Sequence, residues 1–258
     1  MRIRKARTLL LSLIACACLT GATLAFAATS TQTFTIQSHF TPDKLGAPAN
    51  LSVRAAFSAN GAVPAPIGRV LAWGPAGLKI DVAGAGTCNR SRLEAQGPAA
   101  CPANSRIGFG GGIGLQELGK QLIKEPFTLD FFLAPKENGR VVILVYVEAK
   151  SPVAVELVIV AKETRAPKPY GFAVEFEIPP IPTLPGASYA SLESTYFTVG
   201  SQHIAYYHRV HGKRRLVNVK GLIVPKTCPK GGFPFKAMIT YLDGTSGTYD
   251  YTVPCPVR

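Results

Sequence analysis

The densest group of chemically capable side chains is the run His208-Arg209-Val210-His211-Gly212-Lys213-Arg214-Arg215. Four permanent positive charges and two imidazoles stand together there, with no acid nearby in sequence. Such a run suits an anionic polymer or a lipid headgroup surface. It equally suits a solvated hairpin tip, in which Gly212 makes the turn and the charges keep a sheet edge soluble; the local pattern favours this reading. His208, Arg209, His211, Lys213, Arg214 and Arg215 form the candidate anionic-ligand patch. Tyr206 and Tyr207 adjoin it, as aromatic rings adjoin cations in single-strand nucleic-acid grooves. The leader described below argues against nucleic acid as a partner.

Other groupings are weaker. His203, His208 and His211 are five and three residues apart, so on a strand consecutive members face opposite sides. No Cys or carboxylate with ligand spacing joins them, and no metal site is assigned. Gly108-Phe109-Gly110-Gly111-Gly112-Ile113-Gly114 lacks the third glycine of a dinucleotide fingerprint, and no Lys-Ser/Thr follows for a triphosphate loop. It reads as a strand whose glycines allow bending or close contact with a facing sheet. Gly244-Thr245-Ser246-Gly247 is not a Gly-x-Ser-x-Gly nucleophile elbow. Glu175 and Glu177 share one strand face about 7 Å apart, opposite Phe172, Val174 and Phe176, and read as an exposed polar face rather than a glycosidase pair. Trp73 is the only Trp beside nine Tyr, a thin basis for sugar platforms. No catalytic residue and no cofactor are assigned, and the chain is read as non-enzymatic.

The elements that must position these residues are strands. Apolar and polar residues alternate around Phe34, Leu51, Phe127, Phe172, Phe235 and Tyr249. A period of two puts one face in a core and the other in water. Residues 141–147 and 153–161 are more continuously apolar, as in central strands covered on both faces. Asn138-Gly139, His211-Gly212 and Asp243-Gly244 mark hairpins. Residues 90–96 predict one short helix stopped by Gly97, and 116–122 a second helical turn. The fold class is all-β: an antiparallel β-sandwich, Ig-like or jelly-roll-like, of about twelve strands with one or two short helices. Residues 28–258 read as a single sandwich domain, with a possible subdivision at the Pro-rich stretch 179–186.

Of 258 residues, 47% are hydrophobic and only 17% charged, which excludes intrinsic disorder. Residues 1–27 read as a secretory signal peptide. Arg2, Arg4, Lys5 and Arg7 precede an apolar stretch, and Ala25-Phe26-Ala27 is a small-x-small cleavage site. A minority alternative is a lipoprotein acylated at Cys16, after Leu13-Ile14-Ala15. Cleavage takes four of the basic residues, so the net charge falls from +13 to +9. No later apolar run approaches the ~20 residues of a membrane span. Four cysteines remain: Cys88, Cys101, Cys228 and Cys255. Three pairings are open to them, and local pairing of Cys88 with Cys101 and Cys228 with Cys255 is the simplest. Each bond then stabilises by roughly 3–4 kcal/mol on the chain-entropy view. A four-Cys zinc site lacks its Cys-x-x-Cys pairs.

Several stretches occur in a characteristic order. They are Asp43-Lys44-Leu45-Gly46-Ala47-Pro48, Cys101-Pro102-Ala103-Asn104-Ser105-Arg106-Ile107-Gly108, Tyr206 to Gly212, Cys228-Pro229-Lys230-Gly231-Gly232-Phe233-Pro234-Phe235, and Cys255-Pro256. Together they resemble a group of uncharacterised exported β-sandwich proteins of high-GC Gram-positive bacteria. The resemblance implies export, Cys pairing at Cys-Pro ends and a β architecture, and it carries no activity. The expectation is an extracellular or envelope-associated binding or structural module. Its partner would be an anionic envelope polymer or another extracellular protein. A secreted hydrolase or a carbohydrate-binding module is the alternative. Mass spectrometry of the N-terminus of the exported protein tests the leader: a start at Ala28 is expected, and an acylated Cys16 overturns it in favour of the lipoprotein.

Overall fold

The computed structural model describes residues 32–119, 121–183 and 187–256, with nothing said of the Val210 side chain. The expected cleavage after Ala27, the alternative lipid site Cys16 and residues 184–186 of the Pro-rich connector lie outside the described residues. The rest is an all-β, antiparallel fold. Its strands are β1 (Thr33–Thr41), β2 (Pro48–Ser58), β3 (Ile67–Pro75), β4 (Lys79–Asp81), β5 (Arg106–Leu118), β6 (Gln121–Glu137), β7 (Arg140–Ala149) and β8 (Val155–Thr164). They continue as β9 (Tyr170–Glu177), β10 (Ser191–Val199), β11 (Ala205–Val210), β12 (Lys213–Asn218), β13 (Gly221–Ile223), β14 (Phe233–Tyr241) and β15 (Ser246–Val253). One helix, α1 (Arg90–Gln96), lies between β4 and β5.

Thirteen strands form one sheet in the order β15-β14-β3-β9-β8-β7-β6-β5-β10-β2-β13-β4, with β1 added to β2. Strands from both sides of the connector share it: β10 lies between β5 and β2, and β14 lies beside β3. The sheet folds back on itself, so that its two ends become two packed layers. Ala55 and Phe57 of β2 are buried in one cluster with Ile67 of β3 and Ile239 and Tyr241 of β14. Phe40 of β1 meets Phe233 and Phe235 of β14. The edge strands β1 and β15 meet through side chains: the Phe34 and Tyr249 rings are 4.8 Å apart, and the Tyr249 hydroxyl donates to the Gln32 carbonyl. The sandwich is thus one bent sheet rather than two separate ones, and it is not a closed barrel.

The bend has its cause in β5. Gly108, Gly110, Gly112 and Gly114 alternate along the face that pairs with Phe131, Leu129, Phe127 and Glu125 of β6. On the concave face of a strongly bent sheet, side chains converge and backbones close up. A Cβ at Gly110 would stand 2.2 Å from the Tyr196 carbonyl oxygen of β10, and one at Gly112 2.2 Å from that of Ser194. The Phe127 ring occupies the space over Gly112. The glycines therefore admit the neighbouring strand, not a facing sheet as expected from sequence.

The middle of the sheet is covered on both sides. Val142, Leu144, Tyr146 and Val158 are buried with Leu93 of α1 on the outside, while Val141, Val145 and Val147 are buried on the inside. This is why 141–147 is apolar without alternation. Burial of Leu93 contributes about 1.5–3 kcal/mol. Asn89 caps α1 by accepting from the Ser91 amide, and Gly97 at φ 70° ends it, its amide donating to the Leu93 carbonyl. Disulfides Cys88–Cys101 and Cys228–Cys255, with Cα atoms 5.1 and 5.8 Å apart, clip the α1 loop and tie the strand end after β15 to the loop before β14.

Two expectations are corrected. Residues 116–122 are not helical: Gln116 to Leu118 continue β5 and Gln121 starts β6. Gln116 and Leu118 pair with Ile123 and Gln121 across that hairpin, and Gly119 at φ 61° makes the turn. Among the described residues the strands number fifteen rather than about twelve; β4 and β13, of three residues each, are too short to show a period of two. The hairpins at Asn138-Gly139 and His211-Gly212 have positive φ at both central residues, as the two-residue primed turn requires.

The account of β5 has a direct test in urea denaturation. Gly110→Ala should lower stability by about 1–3 kcal/mol through overpacking. Gly114→Ala, whose nearest neighbours to a Cβ are 3.6 and 3.7 Å away, should change it by less than about 0.5 kcal/mol. Equal losses from both would rule the close approach out as the role of these glycines.

Candidate ligand cavity and basic hairpin

Between the two layers lies a cavity of about 380 Å³, within the ~300–1,000 Å³ usual for small-molecule sites. Leu78, Ile80 and Leu222 line one end. Val53, Phe131, Val145 and Phe176 line the middle. Ala149, Val155, Ile181 and Ser191 line the other end, next to Gln116 and Glu125. Trp73, the one Trp that could serve as a sugar platform, shares the outer-face parity of Arg69 on β3 and stacks near the Tyr170 ring, 6.3 Å away. Its wall is almost wholly apolar because the inward parity of every long strand carries the Val, Ile, Leu and Phe of the alternating pattern.

The polar exceptions collect at one end. Glu125 and Gln116 are each 3% exposed. They are diagonal neighbours, since Gly114 pairs with Glu125 and Gln116 with Ile123. The Gln116 amide nitrogen donates to Glu125 Oε2, and the Val153 amide donates to Glu125 Oε1 at 3.2 Å. Gln116 Oε1 is buried with no hydrogen-bond partner. No ion pair to Glu125 occurs among the described residues, and no Lys, Arg or His lines the cavity. Ser191 Oγ donates to the Pro64 carbonyl at 2.5 Å, and Thr195 Oγ1 to that of Gly111 at 3.1 Å. The Tyr251 hydroxyl on the far layer is pushed up to about 12 by burial, so it stays neutral at physiological pH.

The basic run forms the hairpin of β11 and β12. Its base is held down: Tyr206 donates to the Gly84 carbonyl, and Ile204 and Val219 enter the core. Beyond the base both strands are exposed. Arg209 lies opposite Arg214, and His208 opposite Arg215. Like charges placed directly across a ladder destabilise it by about 0.2–1 kcal/mol. No ion pair to any of them occurs among the described residues. Tyr207 and Leu216 face each other on the Arg209–Arg214 side, 58% and 53% exposed, and Arg214 stacks over the Tyr207 ring at 4.0 Å.

The remaining sequence candidates are dispersed. His203 hydrogen-bonds the Arg106 carbonyl at 2.9 Å, His208 is on β11, and His211 is in the turn. No group of three His, Cys, Asp or Glu among the described residues could hold a metal ion. Glu175 is paired with Arg69 at 2.5 Å on the outer face. Ser246 begins β15 in a hairpin whose turn is shaped by Asp243, which accepts from both the amide and the hydroxyl of Thr245. Among the described residues no helix is long and apolar enough to cross a membrane.

Gln116 and Glu125 did not emerge as functional residues from the sequence. The signal was present: Glu125 continues the Phe127, Leu129, Phe131 parity by one step and so falls on the inner face. Comparison of the chain with protein-family models, with curated proteins and with solved structures yields no match.

Proposed function

We propose that this chain is an exported, non-enzymatic binding protein that carries an apolar molecule inside its bent sheet. The cavity is the observation behind this reading. Interiors normally pack without voids larger than a water molecule. An apolar space of about 380 Å³ left unfilled forfeits the packing contacts of the side chains on its wall. A ligand restores those contacts, which is a physical reason for the space to persist. The leader-like N-terminus, the four cysteines and the resemblance to exported bacterial proteins support an extracytoplasmic setting.

The test is to fill the space. Gly114 lies on the wall, and the Cβ of a leucine there would meet no atom closer than 3.6 Å. Gly114→Leu should weaken binding of a neutral apolar fluorophore at least ten-fold while keeping or raising the melting temperature. Undiminished fluorophore binding by a folded variant would end the carrier reading, and so would a wild-type protein that binds none.

A second reading concerns the hairpin, and the unpaired like charges favour it. We infer that Arg209, Arg214 and their basic neighbours hold the protein to an anionic surface of the envelope, with Tyr207 and Leu216 settling among headgroups. Each basic residue near such a surface contributes about 1 kcal/mol, so an Arg209→Ala/Arg214→Ala double variant should bind vesicles containing phosphatidylglycerol roughly 30-fold more weakly. High salt should release the protein from cells. Retention in high salt, or vesicle binding that ignores both arginines, would exclude electrostatic attachment through this hairpin.

A further inference from the structure

The polar end of the cavity defines what the carried molecule must present there. Among the described residues Glu125 is the one charged side chain on the wall, and it is buried with no cation paired to it. Both of its oxygens accept from N–H donors, Gln116 Nε2 and the Val153 amide, which suits a carboxylate rather than a carboxylic acid. A buried carboxylate without a counter-charge is costly, by several kcal/mol even after relaxation. Beside it Gln116 Oε1 is a buried acceptor left without a donor, which is costly. The two hydroxyls at the same end have already donated their protons, Ser191 to the Pro64 carbonyl and Thr195 to the Gly111 carbonyl. What they still offer is lone pairs. Every unmet requirement at this end is therefore for a donor, and the charge that answers Glu125 is positive.

Resting on the carrier reading above, we propose that Glu125 and Gln116 form a head-group seat, and that the ligand is an amphiphile with an ammonium group on an apolar tail. The ammonium lies against Glu125 and donates to Gln116 Oε1, while the tail runs along the wall of Phe127, Leu129, Val147 and Phe176. A single-chain fatty acid or phosphate ester places an anion beside an anion and meets no donor at all. The seat thus selects by sign of charge, through a buried repulsion as much as through an attraction.

The protein's own charge works against this preference on the outside. With 24 basic against 15 acidic residues once the four of the leader are removed, its surface attracts laurate and repels an amine. An amine preference can only come from inside.

The experiment is a matched-chain series of dodecylamine, dodecanol and laurate, each titrated to displace a neutral apolar fluorophore from the protein at neutral pH. Gly114→Leu serves in parallel, so that displacement surviving in it is subtracted as surface binding. Dodecylamine should bind at least ten-fold more tightly than laurate, with dodecanol between them. Glu125→Gln, which keeps the acceptor for the Val153 amide, should abolish the gap between amine and alcohol. Laurate binding as tightly as the amine in the wild-type protein, with the fluorophore bound normally, overturns the head-group seat and leaves the carrier intact. An amine preference that survives Glu125→Gln overturns the assignment to this residue. Failure of the wild-type protein to bind fluorophore and all three chains overturns the carrier reading, and the seat with it.

Discussion

The curvature of a single sheet is the constraint from which the other features follow. Thirteen strands joined edge to edge pair the backbone of the sheet's interior through ladders, but such a sheet has two faces to cover and one chain to do it with. Bending it until its two ends face one another covers the inner face with itself. The outer face of its middle needs something else, and α1 with the Cys88–Cys101 loop provides that cover over Leu144, Tyr146 and Val158. The bend depends on β5 and β10 approaching more closely than side chains allow, which the glycines at 108, 110 and 112 make possible. A stretch that superficially resembles a phosphate loop is in this way an architectural element.

The same curvature determines where polarity can sit. Along β5 and β6 the inner face passes from Gly108 and Phe131 to Gly114 and Glu125, and the wall changes from hydrocarbon to carboxylate within one strand pair. The cavity and its polar end are not additions to the fold. They are what remains when two layers are held apart by a glycine-lined hinge, and when the inward parity reaches the start of β6 before the strand ends. The hairpin of β11 and β12 obeys a different logic. It leaves the sheet after Ile204 and returns at Val219, so its residues have no core to face, and its charges are free of the packing rules that govern the rest.

Much of this was legible in the sequence. Strand parity read off Phe34, Leu51, Phe172 and Phe235 is the inner face of the bent sheet. The short helix ending at Gly97, the hairpin turns and the local cysteine pairs are fixed by neighbours in sequence, and local chemistry was enough to place them. What escaped was long-range. Nothing local shows that β3 lies between β14 and β9, or that β10 enters between β5 and β2, and without that order no cavity can be inferred. The helical turn expected at 116–122 failed because its Leu and Gln spacing fits a helix as well as a tight hairpin, and Gly119 decides for the hairpin. Glu125 lies one step before the alternation that starts at Phe127, beside Lys124, which faces out to pair with Glu193 while Glu125 faces in.

The seam between β1 and β15 is built unlike any other junction in the sheet. Neighbouring strands elsewhere are joined by ladders, whereas here contact runs through the Phe34 and Tyr249 rings and a hydroxyl on the Gln32 carbonyl. Parting two laddered strands sacrifices a hydrogen bond at every second residue along each. Parting this seam sacrifices ring contact, worth about 0.5–1.5 kcal/mol for an aromatic pair beyond its buried area, together with the apolar clusters in which β1 and β2 pack on β14 and β15. The sheet is thus closed in two ways, by ladders along the spine of β6, β7 and β8 and by side chains where β1 meets β15.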